Sequence, residues 1–259
     1  MKKTDLTISI VAGLILGLLM IFMKGSDGLM QAQPVSAQSP MDSVLTAVLN
    51  SDTKWQTVQG EADITWYGKN GDIQSYTTIF VISQPDQAFV ETIDNSGVGN
   101  GGAWISNGEQ IYELNSENKT YTESVFPKHF RDVSLLPRSL NNVEQGGMVT
   151  VHPLSLLIPS PIKEYIFPSA FVQVGPQDTY SLVGADTFLD KPVWVVNYKN
   201  AYGDEVTAWV DQGTGMIVKF SQLTAGRPYL DVVFKSIQID QPVSADTFAV
   251  PAGYNVAVP

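Results

Sequence analysis

Cysteine is absent from this chain of 259 residues. Its absence excludes disulfide bonds, thiolate nucleophiles and zinc sites that use cysteine ligands. It also excludes anchoring through a lipid-modified N-terminal cysteine. Any attachment to a membrane would therefore have to use another part of the chain.

Basic residues are scarce. The chain has 15 Lys and Arg against 26 Asp and Glu, which gives a formal net charge of -11. Nucleic-acid binding needs clustered Lys and Arg that replace counterions along the phosphate backbone. Adsorption to anionic lipid headgroups needs the same positive charge. The acidic balance argues against both kinds of partner.

Histidine is nearly absent, since His129 and His152 are the only two. Zinc hydrolases draw several ligands from histidine and carboxylates, and the chain has no H-E-x-x-H. General acid–base catalysis needs positioned carboxylates with separated pKa values, and no pair stands out. We therefore predict no catalytic residue, no metal and no cofactor. His129 is predicted to lie on a surface loop or partner contact, and His152 to start a helix.

Two further patterns have a chemical and a structural interpretation. GVGNGG at 97–102 matches G-x-G-x-x-G, but a dinucleotide site needs a helix after it, and the strand-like AWIS follows. S-x-x-K occurs at 51–54 and 160–163, without the S-D-N and K-T-G partners of a penicillin-recognising serine enzyme. We interpret the first as a hairpin loop and the others as chance. A hydrolase with an unusual site stays open as a third alternative for the function.

The first segment is apolar. Lys2 and Lys3 precede a run of 18 apolar or small residues at 6–23, which as a helix would span roughly 27 Å, close to a hydrocarbon core. The early lysines predict a cytoplasmic N-terminus and an exported remainder. An uncleaved single-pass anchor at 1–24 and a secretory signal cleaved after Ala37 both fit. In either case we expect the remainder in the cell envelope, outside the cytoplasmic membrane, or secreted, with 25–39 as a linker.

Strand patterns dominate the remainder. A short amphipathic helix, capped by Ser39 and ending near Asn50, is predicted first. Alternating β-rich runs with regular turns follow, including the Asn-Gly hairpin signal in KNGD at 69–72, and predict an antiparallel meander. The fold class is therefore mainly β, α+β overall. We expect a strongly curved sheet, because twist lets one face curl around a cavity.

The middle of the chain has a different pattern from the strand-rich last third. LSLLIPSP at 154–161 is apolar and interrupted by prolines, and we interpret it as a helical lid over an open sheet or as a helical plug in the core. In TAWVDQGTGMIVKFSQL at 207–223, alternation places Phe220 with Met216 and Val218 on one face and Ile217 with Lys219 on the other. Trp209 and Ile217 stand on the mixed face, which predicts apolar contacts on both sides of the sheet.

The order of these elements, with three short stretches, resembles the LolA/LolB/RseB-like superfamily of lipoprotein carriers and envelope sensors. The stretches are WISNGEQIY at 104–112, VDQGTGMIVKF at 210–220 and ADTFAVPAGYNV at 245–256. The resemblance spans roughly residues 40–255. Asp190-Lys191 stands where the RseB branch often carries Gly-Arg. The resemblance implies a half-open antiparallel barrel with an N-terminal helix and a helical lid, and a concave surface that holds acyl chains.

Aromatic and aliphatic side chains carry the functional hypothesis. If several face the concave side, they form a wall for alkyl chains, which bind without directional demands; otherwise they fill a closed core. The candidate ligand-binding residues are Trp66, Phe80, Phe89, Trp104, Tyr112, Leu154, Leu157, Trp209 and Phe220.

The resulting hypothesis is a non-enzymatic domain at 40–259 that binds a lipid or an acylated protein, as a carrier or sorting protein. The alternative is an envelope-stress sensor that binds another membrane protein.

Overall fold

The computed structural model describes residues 39–95, 101–131, 137–145, 149–172, 178–200 and 202–257. The predicted anchor at 1–24, the linker up to 38 and most of the loop at 97–102 lie outside these ranges. Within them, no helix combines the length and the hydrophobicity that a membrane span requires.

The first described element is the predicted helix, α1 (Pro40–Leu49). Ser39 caps it: the Ser39 Oγ accepts the Asp42 N–H at 3.1 Å, and the Asp42 carboxylate accepts the Ser39 N–H at 3.0 Å. This reciprocal capping box satisfies two N–H groups that the helix itself leaves open. The helix buries the stripe Val44, Leu45, Val48 and Leu49, so its predicted position, cap and apolar face are confirmed.

Twelve strands form one open sheet, which confirms the mainly β class. The strands are β1 (Thr57–Tyr67), β2 (Ile73–Ser83), β3 (Gln87–Asp94), β4 (Gly102–Asn107), β5 (Gln110–Asn115), β6 (Thr120–Val125), β7 (Thr179–Phe188), β8 (Lys191–Lys199), β9 (Glu205–Asp211), β10 (Ile217–Thr224), β11 (Arg227–Ile239) and β12 (Asn255–Val256). Their order is β12-β6-β5-β4-β3-β2-β1-β11-β10-β9-β8-β7. All neighbours are antiparallel except β12, which pairs parallel to β6.

The sheet consists of two meanders joined along β1 and β11. The Asn-Gly turn between β1 and β2 forms as predicted, with the Gly68 N–H donating to the Asp72 carbonyl at 2.7 Å. The chain between the meanders forms two short helices, α2 (Leu140–Glu144) and α3 (Lys163–Ile166), and 3-10 turns at 128–130, 153–156 and 168–171. Further 3-10 turns lie at 51–53 and 245–248.

The main hydrophobic core lies on one face of the sheet, and the turns between the meanders contribute to it. Leu154, Ile158, Ile162 and Ile166 are at most 1% exposed, and so are Val48 and Leu49 of α1. The proline-interrupted segment therefore fills the core in its first half, which was one of the two predicted interpretations. A smaller cluster of Ile105, Leu114 and Phe248 is buried separately.

The turn between β9 and β10 is where α1 meets the sheet. The Asp211 carboxylate accepts both the Thr214 N–H and the Thr214 hydroxyl at 2.7 Å, and this closes the turn. Gly215 follows with a φ of +76°, and a Cβ built on it would lie 2.2 Å from the Ala47 carbonyl oxygen of α1. Only glycine lets the helix backbone approach the turn this closely.

Gly215→Ala should therefore lower the free energy of unfolding more than a glycine-to-alanine substitution at a site without this contact. We expect a loss of at least about 3 kcal/mol in the free energy of unfolding, because the new methyl group displaces α1 from the sheet. Urea unfolding followed by tryptophan fluorescence measures it.

The matched control is Gly226→Ala, because Gly226 also has a positive φ, +73°, but its Cβ would meet no atom within 4 Å. We expect that change to cost only about 1–2 kcal/mol, the backbone term alone. Equal losses in the two variants would contradict the proposed close approach.

Candidate functional site

The floor of the candidate site is a row of cross-strand partners. Trp66 on β1 pairs with Leu230 on β11, Leu230 pairs with Gln222 on β10, and Gln222 pairs with Val206 on β9. Direct partners in an antiparallel sheet point to the same face. Trp66 and Leu230 belong to the main-core side, so the row lies beneath the turns between the meanders.

We call residues 160–171 the cover. It begins at Ser160-Pro161, continues through α3 and ends with the 3-10 turn at Pro168–Phe171. Tyr165 of the cover contacts Phe220 of β10 edge to face, with ring centroids 5.1 Å apart. Tyr165 is 4% exposed, and burial raises the pKa of its phenol above the usual value. Tyr165 therefore stays neutral and acts as an aromatic contact between cover and sheet.

A pocket of about 380 Å³ lies between the cover and the floor, and we call it the main pocket. Its volume falls within the range of about 300–1,000 Å³ found for small-molecule sites. Aromatic and aliphatic side chains form most of its wall, with three polar ones. The described lining residues are Trp66, Ser160, Pro161, Glu164, Tyr165, Ala170, Phe171, Ile217, Phe220, Gln222 and Leu230.

A β-bulge shapes this pocket. The register between β9 and β10 shifts between Ile217 and Lys219, so Ile217 and Phe220 both line the main pocket. Strict alternation placed these two residues on opposite faces, and that prediction is wrong at Ile217. The extra residue of a bulge redirects one side chain, and nothing in the local sequence marks its position.

The nine candidate residues separate into different environments. Trp66 and Phe220 line the main pocket. Phe80 and Leu154 are 0% exposed and Trp104 is 7% exposed in the main core, against which Leu157 packs.

The remaining three candidates, like the four in the main core, are not part of the pocket wall. Phe89 and Tyr112 pack against the smaller cluster around Phe248. Trp209 pairs with Lys219, whose ammonium lies 4.1 Å from the indole centroid. Tyr165, Phe171, Ile217 and Leu230 line the pocket but were not among the nine candidates.

A second cavity differs in chemistry. It measures about 390 Å³ and is lined largely by hydroxyl, amide and charged side chains, including those of Thr179, Asn197 and Thr207. The Lys199 ammonium and the Glu205 carboxylate, 2.7 Å apart, form an ion pair on its wall. These groups would have to be desolvated by an alkyl guest, so the main pocket is the better candidate.

The hydroxyl and imidazole groups that the sequence brought up as chemical candidates have structural partners. The Ser160 hydroxyl donates to the Glu164 carboxylate at 2.7 Å, so Glu164 and not Lys163 is its observed partner. His129 is exposed and its ring contacts Phe130. His152 starts the 3-10 turn at Pro153–Leu156, as predicted, and its Nδ1 accepts the Leu154 N–H at 3.1 Å. Among the described residues, no group of three metal-binding side chains comes together.

A buried polar network holds the chain that leads to the cover. The Arg138 guanidinium donates to both carboxylate oxygens of Asp52, at 2.6 and 2.7 Å, and to the Leu49 carbonyl at 3.0 Å. The Asn50 carboxamide accepts the Arg138 N–H at 2.6 Å and donates to the Arg138 carbonyl at 2.9 Å. Arg138 also donates to the Thr150 carbonyl. The C-terminal end of α1 is thereby connected to the segment that carries α2 and His152.

His152 is buried beside this network. It is 2% exposed and its ring stacks on Phe167, with centroids 4.9 Å apart. Burial lowers the pKa of His152 from 6.5 to about 4, and the opposing charges of Asp52 and Arg138 contribute less. The imidazole is therefore neutral at pH 7, which agrees with its acceptor role at Nδ1.

No family model matches the chain, and no curated protein matches it significantly. Several solved structures do match the chain. An uncharacterised conserved protein from Thermus thermophilus has a TM-score of 0.46 and 8% identity, over 85% of this chain and 99% of that one. MucB, solved with MucA from Pseudomonas aeruginosa, has a TM-score of 0.44 and 11% identity; the match covers 85% of this chain but only 64% of that one.

A LolA superfamily protein, NE2245 from Nitrosomonas europaea, has a TM-score of 0.30 and 12% identity, over 80% of this chain and 96% of that one. The LolA superfamily is also the family that the three sequence stretches resemble.

His152 predicts a pH-dependent stability. The folded protein binds this proton only near pH 4, whereas the unfolded chain binds it near pH 6.5. The stabilisation is therefore fully present above pH 6.5 and is lost as the pH falls towards 4, by about 3 kcal/mol in total. We expect His152→Asn, whose amide oxygen can still accept the Leu154 N–H, to have a flatter stability profile between these pH values.

Urea unfolding at a series of pH values measures the difference. His129→Asn is the control, because His129 is exposed, and this variant should follow the profile of the unmodified protein. If His152→Asn kept the original slope, burial of His152 would not be the cause of the acid sensitivity.

Proposed function

We propose that this protein is a non-enzymatic carrier or sorting domain that binds the alkyl chain of a lipid or of an acylated protein in the main pocket. The observation that carries the proposal is the pocket of about 380 Å³ between sheet and cover, with Trp66, Phe220, Ile217 and Leu230 on its floor. Each methylene group transferred from water to such a wall contributes about 0.8 kcal/mol. The polar groups of Glu164 and Gln222 can contact a headgroup.

The proposal includes a strongly curved, half-open barrel whose concave face carries the pocket. Supporting it are register shifts in β1/β11, β7/β8, β9/β10 and β10/β11, because bulges increase local twist and bend strands. The cover lies on the face of the sheet that carries the main core, in which Phe80 is 0% exposed.

We also propose that residues 40–259 work as one domain outside the cytoplasmic membrane. The support is the sequence alone: two lysines precede the apolar run at 6–23, which suits an anchor or an export signal. Sequencing the N-terminus of the mature protein distinguishes a retained anchor from a cleaved signal.

A second candidate function is a sensor that binds another membrane protein. The observation that favours it is the end strand β7, which pairs with β8 alone among the described strands and exposes 61% of Val183. An unpaired strand edge can accept a strand from another chain. Crosslinking to a polypeptide that persists when the main pocket is occupied would favour this function over the carrier.

Binding of neutral alkyl glucosides tests the carrier proposal. We expect the affinity of the full-length protein to rise about fourfold per added methylene group until the main pocket is filled, which follows from about 0.8 kcal/mol each. Isothermal titration below the critical micelle concentration measures this.

Ala170→Trp should abolish the chain-length dependence, because Ala170 lies on the rim of the main pocket and the indole would occupy it. Ala185→Trp is the matched control, since Ala185 is exposed on β7. A chain-length dependence that survives in Ala170→Trp would place the alkyl site elsewhere.

A further inference from the structure

A smaller pocket, which we call the side pocket, adjoins the main pocket on the same face. It measures about 200 Å³ and shares Phe171, Phe220 and Gln222 with the main pocket. Its floor continues the same row of partners, since Gln222 pairs with Val206 and Val206 pairs with Tyr198 on β8. The two pockets are therefore neighbouring compartments separated by shared side chains.

Aromatic rings form much of the wall of the side pocket. Phe171, Tyr198 and Phe220 line it, and the Phe171 and Tyr198 centroids lie 5.7 Å apart. Tyr180 stacks on Tyr198 at 4.6 Å, contacts Phe171 edge to face at 5.7 Å and donates its hydroxyl to the Phe171 backbone carbonyl at 2.6 Å, so both neighbours pack against it. Preorganised aromatic faces attract cations through the ring quadrupole, and quaternary ammonium groups are bound in this way.

The charges of both pockets have the same sign. Asp204 lines the side pocket and Glu164 lines the main pocket, and no Lys or Arg is among the described lining residues of either. The Asp204 carboxylate accepts hydrogen bonds from the Asn200 amide at 2.9 Å and the Thr224 hydroxyl at 2.8 Å. Within the described part of the chain, neither carboxylate is in an ion pair, so each keeps a charge that a guest can neutralise.

The surroundings of Tyr198 disfavour a negative charge. Burial, followed by the charges of Asp178 and Asp204, raises the pKa of its phenol to about 12. An environment that disfavours a phenolate also disfavours a carboxylate or phosphate guest. Burial disfavours a charge of either sign, whereas the carboxylates of Asp178 and Asp204 attract a positively charged group.

We propose that the side pocket binds the ammonium headgroup of a cationic amphiphile whose alkyl chain occupies the main pocket. This inference rests on the proposed function and names the chemical class of its ligand. The shared wall of Phe171, Phe220 and Gln222 places the charged end and the apolar end of one molecule in adjoining compartments. Phe171, Tyr198 and Phe220 would contact the ammonium group, and Asp204 would neutralise it.

Three amphiphiles with the same alkyl chain and different headgroups test the inference: decyltrimethylammonium, decyl glucoside and decyl sulfate. Isothermal titration uses the full-length protein, and the Ala170→Trp variant measures adsorption elsewhere on the molecule. We expect the cation to bind about tenfold more tightly than the glucoside, and the sulfate to bind most weakly.

Two variants separate charge from aromatic contact. Asp204→Asn should reduce the preference for the cation over the glucoside about tenfold, because it removes the charge at nearly constant shape. Phe171→Leu should reduce the same preference several-fold, because it keeps an apolar wall without the ring. The control is Asp186→Asn, which lies on the exposed part of β7 and should leave the preference unchanged. Circular dichroism melting verifies that each variant is folded.

The outcomes distinguish the inference from the proposed function. Equal binding of the cationic and the neutral amphiphile would overturn the ammonium site and leave the alkyl pocket standing. Tighter binding of the sulfate would overturn it as well. Failure of all three amphiphiles to bind would overturn both.

Discussion

The fixed position of α1 is the constraint on which the rest of the structure depends. On one side its backbone lies against the turn at Gly215, where even a methyl group would meet the Ala47 carbonyl at 2.2 Å. At its C-terminal end it is bound by the buried pair of Asp52 and Arg138. A buried ion pair adds little net stability compared with apolar packing, but loss of one partner leaves a costly unpaired charge. The pair therefore acts by fixing where the segment after Arg138 can lie.

This constraint extends to the cover, because α1 packs against the 3-10 turn at Pro168–Phe171. The segment from His152 to Ile166 fills the core in its first part, through Leu154, Ile158 and Ile162. Within the cover, Ile162 and Ile166 are also buried in the core, whereas Tyr165 and Phe171 line the main pocket above β10 and β11. One continuous segment thus serves as a plug and as a cover.

Periodicity predicted the local elements well. The Ser39 cap, the α1 stripe and the Asn-Gly hairpin depend on residues close together in sequence, and all three formed. Periodicity failed where the outcome depends on distant residues. Phe89 and Ile105 are direct partners and share the face that Phe248 covers, but periodicity does not show which face of a strand α1 covers and which Phe248 covers. The bulge at Ile217 left no local signal, so Ile217 was missed as a pocket residue. The pair of Asp52 and Arg138 joins residues 86 positions apart and left none either, so the sequence did not show where the segment with Tyr165 and Phe171 would lie.

The rings of Phe171 and Phe220, which belong to both pockets, have one more consequence. A guest that displaced either ring in one compartment would change the shape of the other, and occupancy of the two would then be thermodynamically linked. Such a linkage is reciprocal: whatever one compartment gains from its neighbour's guest, the neighbour gains equally in return. Measurements on fragments that fill a single compartment will therefore not sum to the affinity of a molecule that spans both.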